Sequence, residues 1–259
     1  MKLTHGDAFD VAKMSPDYNG YYVWACRETP NLPVNIGLHD ARTGDILFGF
    51  TKKKDTGRSR AADIDPTNRG YEMWGAAATP LLSITGEVLN ESSPSSMNMK
   101  MYWDGDLLSE LLDHNSSANM VIMKWDWENK VLNDILVAEG SASNGGTKGQ
   151  TCLAADIFGD WRDELMVRNA ESTELRMYSI SIPTEYRIPT LMHDVTYREA
   201  IAWQNNHYNQ PANVSFYLGA ETTEIPVPEI YTLKDGEKII NEVYTFSPNT
   251  HAFMSVLPQ

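Results

Sequence analysis

Apolar residues along this chain fall in short runs, many alternating with polar positions and few repeating at a helical interval. The runs Tyr21–Ala25, Asp45–Phe50, Met120–Trp125, Glu164–Val167, Leu175–Ile180, Val214–Leu218 and Ile239–Tyr244 are rich in β-branched and aromatic residues. Gly, Asn, Asp and Pro bound them, the pattern of strands closed by tight turns. Arg42-Thr-Gly-Asp45, Thr85-Gly86-Glu87 and Lys234-Asp-Gly-Glu237 read as hairpin turns between such runs. Leu107–Leu112 is the one segment with helical character, and it is brief. The pattern predicts an all-β chain.

A repeat is laid over these strands. Acidic or Asn-rich turns recur at Asp63-Ile-Asp65, Asp104-Gly-Asp106, Asp156…Asp160 and Asn205…Asn209, with a degenerate relative at Lys13–Gly20. Starts at 13, 63, 104, 156 and 205 are separated by 50, 41, 52 and 49 residues. Spacing of about 45 residues suits four-stranded β-propeller blades. A blade cannot bury both faces alone, so consecutive blades must stack. The expected fold is four to five such blades, entered almost directly at Met1 and therefore part of a larger ring.

Charge narrows the partners. The 259 residues carry 21 Lys+Arg against 35 Asp+Glu, a net charge of −14. This argues against nucleic acid, which needs a basic field. It fits a polyanionic substrate only where bound cations reverse the local sign. No apolar run approaches the roughly 18 residues of a membrane span, and no apolar signal core follows Met1. Cys26 and Cys152 read as small buried hydrophobes rather than a redox or zinc pair.

The acidic turns are candidate cation loops. In Asp156-Ile-Phe-Gly-Asp160-Trp-Arg-Asp-Glu164, carboxylates at relative positions 1, 5 and 9 can wrap one hard cation. The carbonyls of Phe158 and Arg162 would complete the oxygen set that calcium prefers. Asp63, Asp65 and Glu72 form a second version on a longer loop, and Asn205, His207 and Asn209 a third built from amide and carbonyl oxygens. The competing reading is solvated acidic or Asn-rich turns that bind nothing. In the Lys13 turn, Lys13, Ser15 and Tyr22 stand where acidic ligands are expected, so that site has lost its metal.

Basic groups lie just upstream of the two best loops: Arg58 and Arg60 before Asp63, and Lys148 before Asp156. They suit carboxylate binding, or simple neutralisation of the loops. Gly145-Gly146 lets backbone approach a ligand closely. His5 and Asp7 offer metal ligation or a surface turn, and Trp203–Tyr208 supplies aromatic surface and a phenol. A Gly-x-Ser-x-Gly elbow and a His-Glu-x-x-His zinc motif are both lacking.

Together these stretches resemble the polysaccharide lyase family 11 rhamnogalacturonan lyases. The resemblance rests on ordered segments over residues 4–230: His5–Ala8, Asp40–Gly44, Gly57-Arg58 with Ala61–Pro66, Trp103–Leu108, Lys124–Asp126 and Ser143–Lys148. It continues through Asp156–Glu164, Glu174–Tyr178, Thr190–Asp194, Ile201–Asn205, Tyr208–Pro211 and Ser215–Gly219. It implies an eight-bladed calcium-binding propeller, with residues 1–230 as its later blades, upstream blades missing, and 231–259 an appended hairpin. It implies a secreted or periplasmic enzyme that cleaves the rhamnose–galacturonate backbone of pectin, rhamnogalacturonan I, by β-elimination.

By resemblance, Arg58, Lys148 and Tyr208 line the cleft, with Gly145, Gly146 and Thr147 beside the sugar. His5 and Asp7 match metal ligands near the cleft, and Asn205 with Asn209 a calcium loop. Gly145 departs from the family's usual Asn, removing one sugar contact. In the implied chemistry, Lys148 is the base that takes the C5 proton of galacturonate, its pKa lowered by Arg58 and calcium. Arg58 and calcium stabilise the enediolate, and Tyr208 donates to the leaving oxygen. Short turns around residues 28–40 favour internal cleavage. The alternatives are a non-catalytic calcium-loaded propeller that binds glycan or protein, and a truncated lyase inactive by itself.

Overall fold

The computed structural model describes residues 4–206, 208, 210–226, 230–234 and 237–241. Four antiparallel four-stranded sheets follow one another in chain order. The first joins β1 (Phe9–Ala12), β2 (Tyr22–Cys26), β3 (Ile36–Asp40) and β4 (Ile46–Phe50) as a meander. The second joins β5 (Ser59–Ala62), β6 (Glu72–Gly75), β7 (Thr79–Leu82) and β8 (Val88–Asn90) in the same way. The third contains β9 (Met99–Met101), β10 (Glu110–His114), β11 (Met120–Asp126) and β12 (Val131–Ala138). In the fourth, β13 (Ser141–Ala142), β14 (Leu153–Ala155) and β16 (Leu175–Tyr178) all pair with β15 (Glu164–Asn169).

Burial falls off at the last strand of each sheet. Every residue of β5, β6 and β9 is buried, whereas β4, β8 and most of β12 face solvent. The sheets stack in order, each apolar cluster shared by two neighbours. Trp24, Ile36 and Leu38 pack with Met73 and Leu82; Trp74 and Leu81 pack with Leu111 and Trp125; Leu112 and Ile122 pack with Leu165 and Val167. First strands are tied directly. Arg60 on β5 pairs with Asp10 on β1 at 2.8 Å, both fully buried, and donates onward to the carbonyls of Met97 and Asn98 ahead of β9.

The repeat marks one recurring position, the loop between the first and second strands of each sheet. Gly44 and Gly86 take positive φ in the Arg42–Asp45 and Thr85–Glu87 turns, as the hairpins require. Three expectations change. Leu107–Leu112 is loop running into β10, with no helix. The helix is α1 (Val195–Trp203), capped by the Asp194 carboxylate, which accepts from Tyr197 N–H at 2.9 Å. Val214–Leu218 is irregular rather than a strand, and so the Asn205 turn begins no fifth sheet among the described residues. Val214 and Leu218 instead pack with Trp161, Leu191 and Tyr197 over the end of the stack. β17 (Ile230–Lys234) and β18 (Glu237–Asn241) form an antiparallel hairpin; the rest of Ile239–Tyr244 lies outside the described residues.

Candidate active site

The fourth sheet supplies the site because its first strand is interrupted. β13 and β14 lie along the same edge of β15, opposite Arg168–Asn169 and Glu164–Met166, so residues 143–152 leave the sheet and return to it. Asn144 N–H donates to the Gln150 carbonyl and Gln150 N–H to Ser143 Oγ, closing the neck. Arg168 donates to Asn144 Oδ1 and Ser143 O, each at 2.8 Å. At the tip, Gly146–Lys148 form one 3₁₀ turn ended by Gly149 at φ 56°. A Cβ at 149 would stand 2.4 Å from Asp113 Oδ1, so glycine lets the turn press against the third sheet.

This excursion brings together residues remote in sequence. Lys148 Nζ donates to Asp7 Oδ2 at 2.9 Å and stands 3.9 Å from the centroid of the Tyr208 ring. Arg58 donates to the Thr147 carbonyl at 2.7 Å and to Asn98 Oδ1. Asn98 Nδ2 donates to Asp113 Oδ1 at 2.7 Å and to Thr147 O at 3.3 Å. Asp7, Arg58, Arg60, Asn98, Lys148 and Tyr208 line one small pocket. Gly145 sits against Gln150, whose Oε1 would be 2.0 Å from a Cβ, whereas Gly146 faces open space. The site thus sets three cations, a phenol and a carboxylate around one opening.

Beside it, His5, Asp7 and Glu28 offer ligand atoms within 4.8 Å of one another. Gly6 makes this approach practicable, since a Cβ there would lie 2.0 Å from the Cys26 carbonyl oxygen. His5 Nδ1 is 3.2 Å from Glu28 Oε2 and 3.8 Å from Asp7 Oδ1. Asp7 Oδ1 is buried and has no hydrogen-bond donor. Burial opposes ionisation of Asp7, but Lys148, Glu28 and His5 outweigh it and hold the carboxyl below its ordinary range. Hydrogen bonding with Asp7 pushes Glu28 the other way. Two carboxyls sharing one place in this manner fit a bound cation.

The acidic loops share a frame that the motif did not reveal. The glutamate opening each second strand folds back onto its own loop. Glu72 accepts from Ile64 and Asp65 N–H, Glu110 from Trp103 and Asp104 N–H, and Glu164 from Ile157 and Phe158 N–H. This pattern aligns Asp63 and Asp156 with Tyr102, two residues before the third repeat as spaced from sequence. In the second loop Asp63 Oδ2 accepts from Tyr217 and Ala220, and Asp65 Oδ2 is 3.1 Å from Lys130. In the fourth, Asp156 Oδ2 accepts from Thr190 and Leu191, and Asp160 pairs with Arg162 at 2.5 Å. The carboxylates of Asp63, Asp65 and Glu72, like those of Asp156, Asp160 and Glu164, are not among the three-ligand sets within 4.8 Å.

Their surroundings still ask for positive charge. Asp63 Oδ1, Glu72 Oε1 and Asp156 Oδ1 are buried without donors. Burial lifts Asp63 to about 7, raises Glu72 well above its ordinary value, and pushes Asp156 and Glu164 up from theirs. Asn205 donates to the Thr151 carbonyl at 2.9 Å and leaves its Oδ1 buried and unpaired. His207 and Asn209 lie outside the described residues.

The sequence profile of rhamnogalacturonan lyase family 11, C-terminal domain, matches residues 1–228, and the chain belongs to that family. Rhamnogalacturonan endolyase YesW of Bacillus subtilis is 45% identical over 230 residues, 89% of this chain and 36% of the relative. Rhamnogalacturonan exolyase YesX of the same organism is 42% identical over 239 residues, 88% and 39% of the two chains. The crystal structure of YesW matches with a TM-score of 0.81 over 86% of this chain and 37% of that one. A Bacillus licheniformis rhamnogalacturonan lyase matches at 0.79, with 43% identity over 85% of this chain and 36% of that one. The chain therefore spans less than two-fifths of the length of these relatives.

Proposed function

We propose that this chain forms the catalytic face of a rhamnogalacturonan lyase that cleaves pectic rhamnogalacturonan I by β-elimination. The observation carrying the reading is the convergence of Arg58, Lys148 and Tyr208 on one pocket from three distant segments. The four stacked sheets are read as consecutive β-propeller blades, because each buries its faces on its sequence neighbours. A polymeric pectic substrate makes a secreted or periplasmic site of action the natural one.

The galacturonate carboxylate is received by Arg58, whose fork offers paired donors. Lys148 takes the C5 proton, the bond from C4 to the bridging oxygen breaks, and C4 and C5 become doubly bonded. The leaving oxygen takes its proton from Tyr208, beside Lys148. His5, Asp7 and Glu28 would hold calcium, which supplies further positive charge near the uronate. Asp63, Asp65, Glu72, Asp156, Asp160, Glu164 and Asn205 would hold structural calcium.

Absorbance of the unsaturated uronate product tests this. Lys148→Ala is expected to lower its rate of formation roughly 10²–10⁴-fold; a rate near that of the parent chain would remove Lys148 from the base role. A second reading, binding without cleavage, is favoured by the engagement of Lys148 Nζ with Asp7 Oδ2 at 2.9 Å, which occupies the candidate base. Oligomer binding with no unsaturated product would select it. Product length separates internal from terminal cleavage, since the relatives include an endolyase and an exolyase.

A further inference from the structure

The loop opening the third sheet differs from its two counterparts in what stands at its centre. Lys124, on β11, falls beside Glu110 in the register that pairs Leu111 with Met123. Its Nζ contacts Asp104 Oδ2, lies 2.6 Å from Asp106 Oδ2, and lies 3.0 Å from Glu110 Oε1. Those three carboxylates meet within 4.8 Å. Glu110 is fully buried, and its Oε1 has no hydrogen-bond donor, so the ammonium charge is what faces it. The frame is the same as in the second and fourth loops, with Glu110 Oε2 closing the backbone at Trp103 and Asp104. In those loops buried oxygens of Asp63, Glu72 and Asp156 face no donor. Only the content differs.

We propose that Lys124 is the resident cation of the third loop, standing where a hard divalent ion would stand, and that its removal opens a calcium site formed by Asp104, Asp106 and Glu110. An ammonium is a compact point charge, and here three carboxylates surround it. Three converging carboxylates otherwise form the kind of oxygen set that calcium takes. Because Lys124 is tethered by its own strand, it competes at a high effective concentration that no chelator lowers. The third sheet is thereby closed without metal.

The test counts ions and does not depend on whether the chain is active. Calcium is titrated calorimetrically, and terbium by luminescence sensitised through Trp103, into the 259-residue chain and its variants. Lys124→Gln is expected to bind one more ion than the parent chain and to gain a larger rise in Tm from calcium. Asp104→Asn, made in the parent background, is expected to leave the ion count unchanged. An equal count in Lys124→Gln and parent overturns the proposal. So does a count that falls by one in Asp104→Asn, which would mean that the loop already holds an ion beside Lys124. Should Lys124→Gln fail to fold with or without calcium, the Asp104→Asn count decides alone.

Discussion

Arg58 and Lys148 stand on loops of different sheets, and one amide holds them in register. Asn98 accepts from Arg58, donates to the backbone of the Lys148 turn, and is itself held by Asp113. Its carbonyl is pinned by Arg60, which is paired with buried Asp10. Asn98→Ala removes one of the two acceptors that hold the guanidinium, leaving the Thr147 carbonyl, and displacement of about 1 Å in such a site costs on the order of 10²-fold. The expected result is a fall of that order in kcat with a smaller change in KM, read from uronate absorbance; equal loss in Tm-matched Asn98→Asp would point to stability instead. Neither Asn98 nor Glu28 was legible in the sequence, because each is an ordinary polar residue whose role depends on a partner in another segment. Arg58 and Lys148 were legible as basic groups ahead of acidic loops and Tyr208 as a phenol, but their sharing one cleft only through the family resemblance. A second residue-scale prediction concerns Lys100, which is buried with its Nζ 4.4 Å from the Tyr71 ring centroid. Burial pulls it down to about 8, partly offset by Asp10, Asp63 and Asp163. An unfolded lysine titrates at 10.5, so between those values the unfolded state binds more protons. The Lys100 contribution to stability therefore rises as pH climbs from about 8 towards 10.5. Denaturant melts across that range, in chelator, should lose this positive slope in Lys100→Met.

Loops and strands separate two jobs that one glutamate performs. In the fourth loop Glu164 Oε2 satisfies the N–H groups of Ile157 and Phe158, at 2.8 and 2.9 Å. The same side chain is a candidate calcium ligand. Gln retains one carbonyl oxygen and so can keep both backbone bonds, but it lacks the charge that a divalent ion attracts. Ala removes both. In chelator, Glu164→Gln should melt close to the parent chain, whereas Glu164→Ala should lose about 2–4 kcal/mol for two donors left unpaired. With calcium added, the parent should gain stability and Glu164→Gln should gain less, as calorimetric melts would record. An equal calcium response would take Glu164 out of the ligand set. At this scale most strands were legible because β-branched runs alternate and Gly-containing turns bound them. Helix α1 was not, since Val195, Thr196 and Tyr197 read as strand formers and its cap, Asp194, looks like any acidic turn residue. Val214–Leu218 failed for the opposite reason. Its apolar residues are buried against α1 and Trp161, without a strand partner, so the periodicity reported burial and not pairing.

For the whole molecule, the repeat carried more information than any single element. Loops spaced 41 to 52 residues apart became the same corner of four stacked sheets, and the stacking joins every sheet to the next through shared apolar clusters. The chain carries a net −14, and part of that excess is concentrated where water is excluded, at Asp63, Glu72 and Asp156. An unpaired buried carboxylate costs several kcal/mol unless it is protonated or meets a cation. Calcium bound to the folded state alone contributes RT ln(1+[L]/Kd), about 2.7 kcal/mol at a hundredfold excess over Kd, for each independent ion. Stripping calcium with a strong chelator at neutral pH should therefore lower Tm by several degrees and broaden the transition, the second and fourth loops yielding first. The third loop, closed by Lys124, should be the least affected. Differential scanning calorimetry reads the shift, and backbone hydrogen exchange locates it. Increased exchange at Ile64, Asp65, Ile157 and Phe158 with little change at Trp103 and Asp104 is the expected pattern. Identical melting with and without chelator would remove calcium from the account of how this stack is held together.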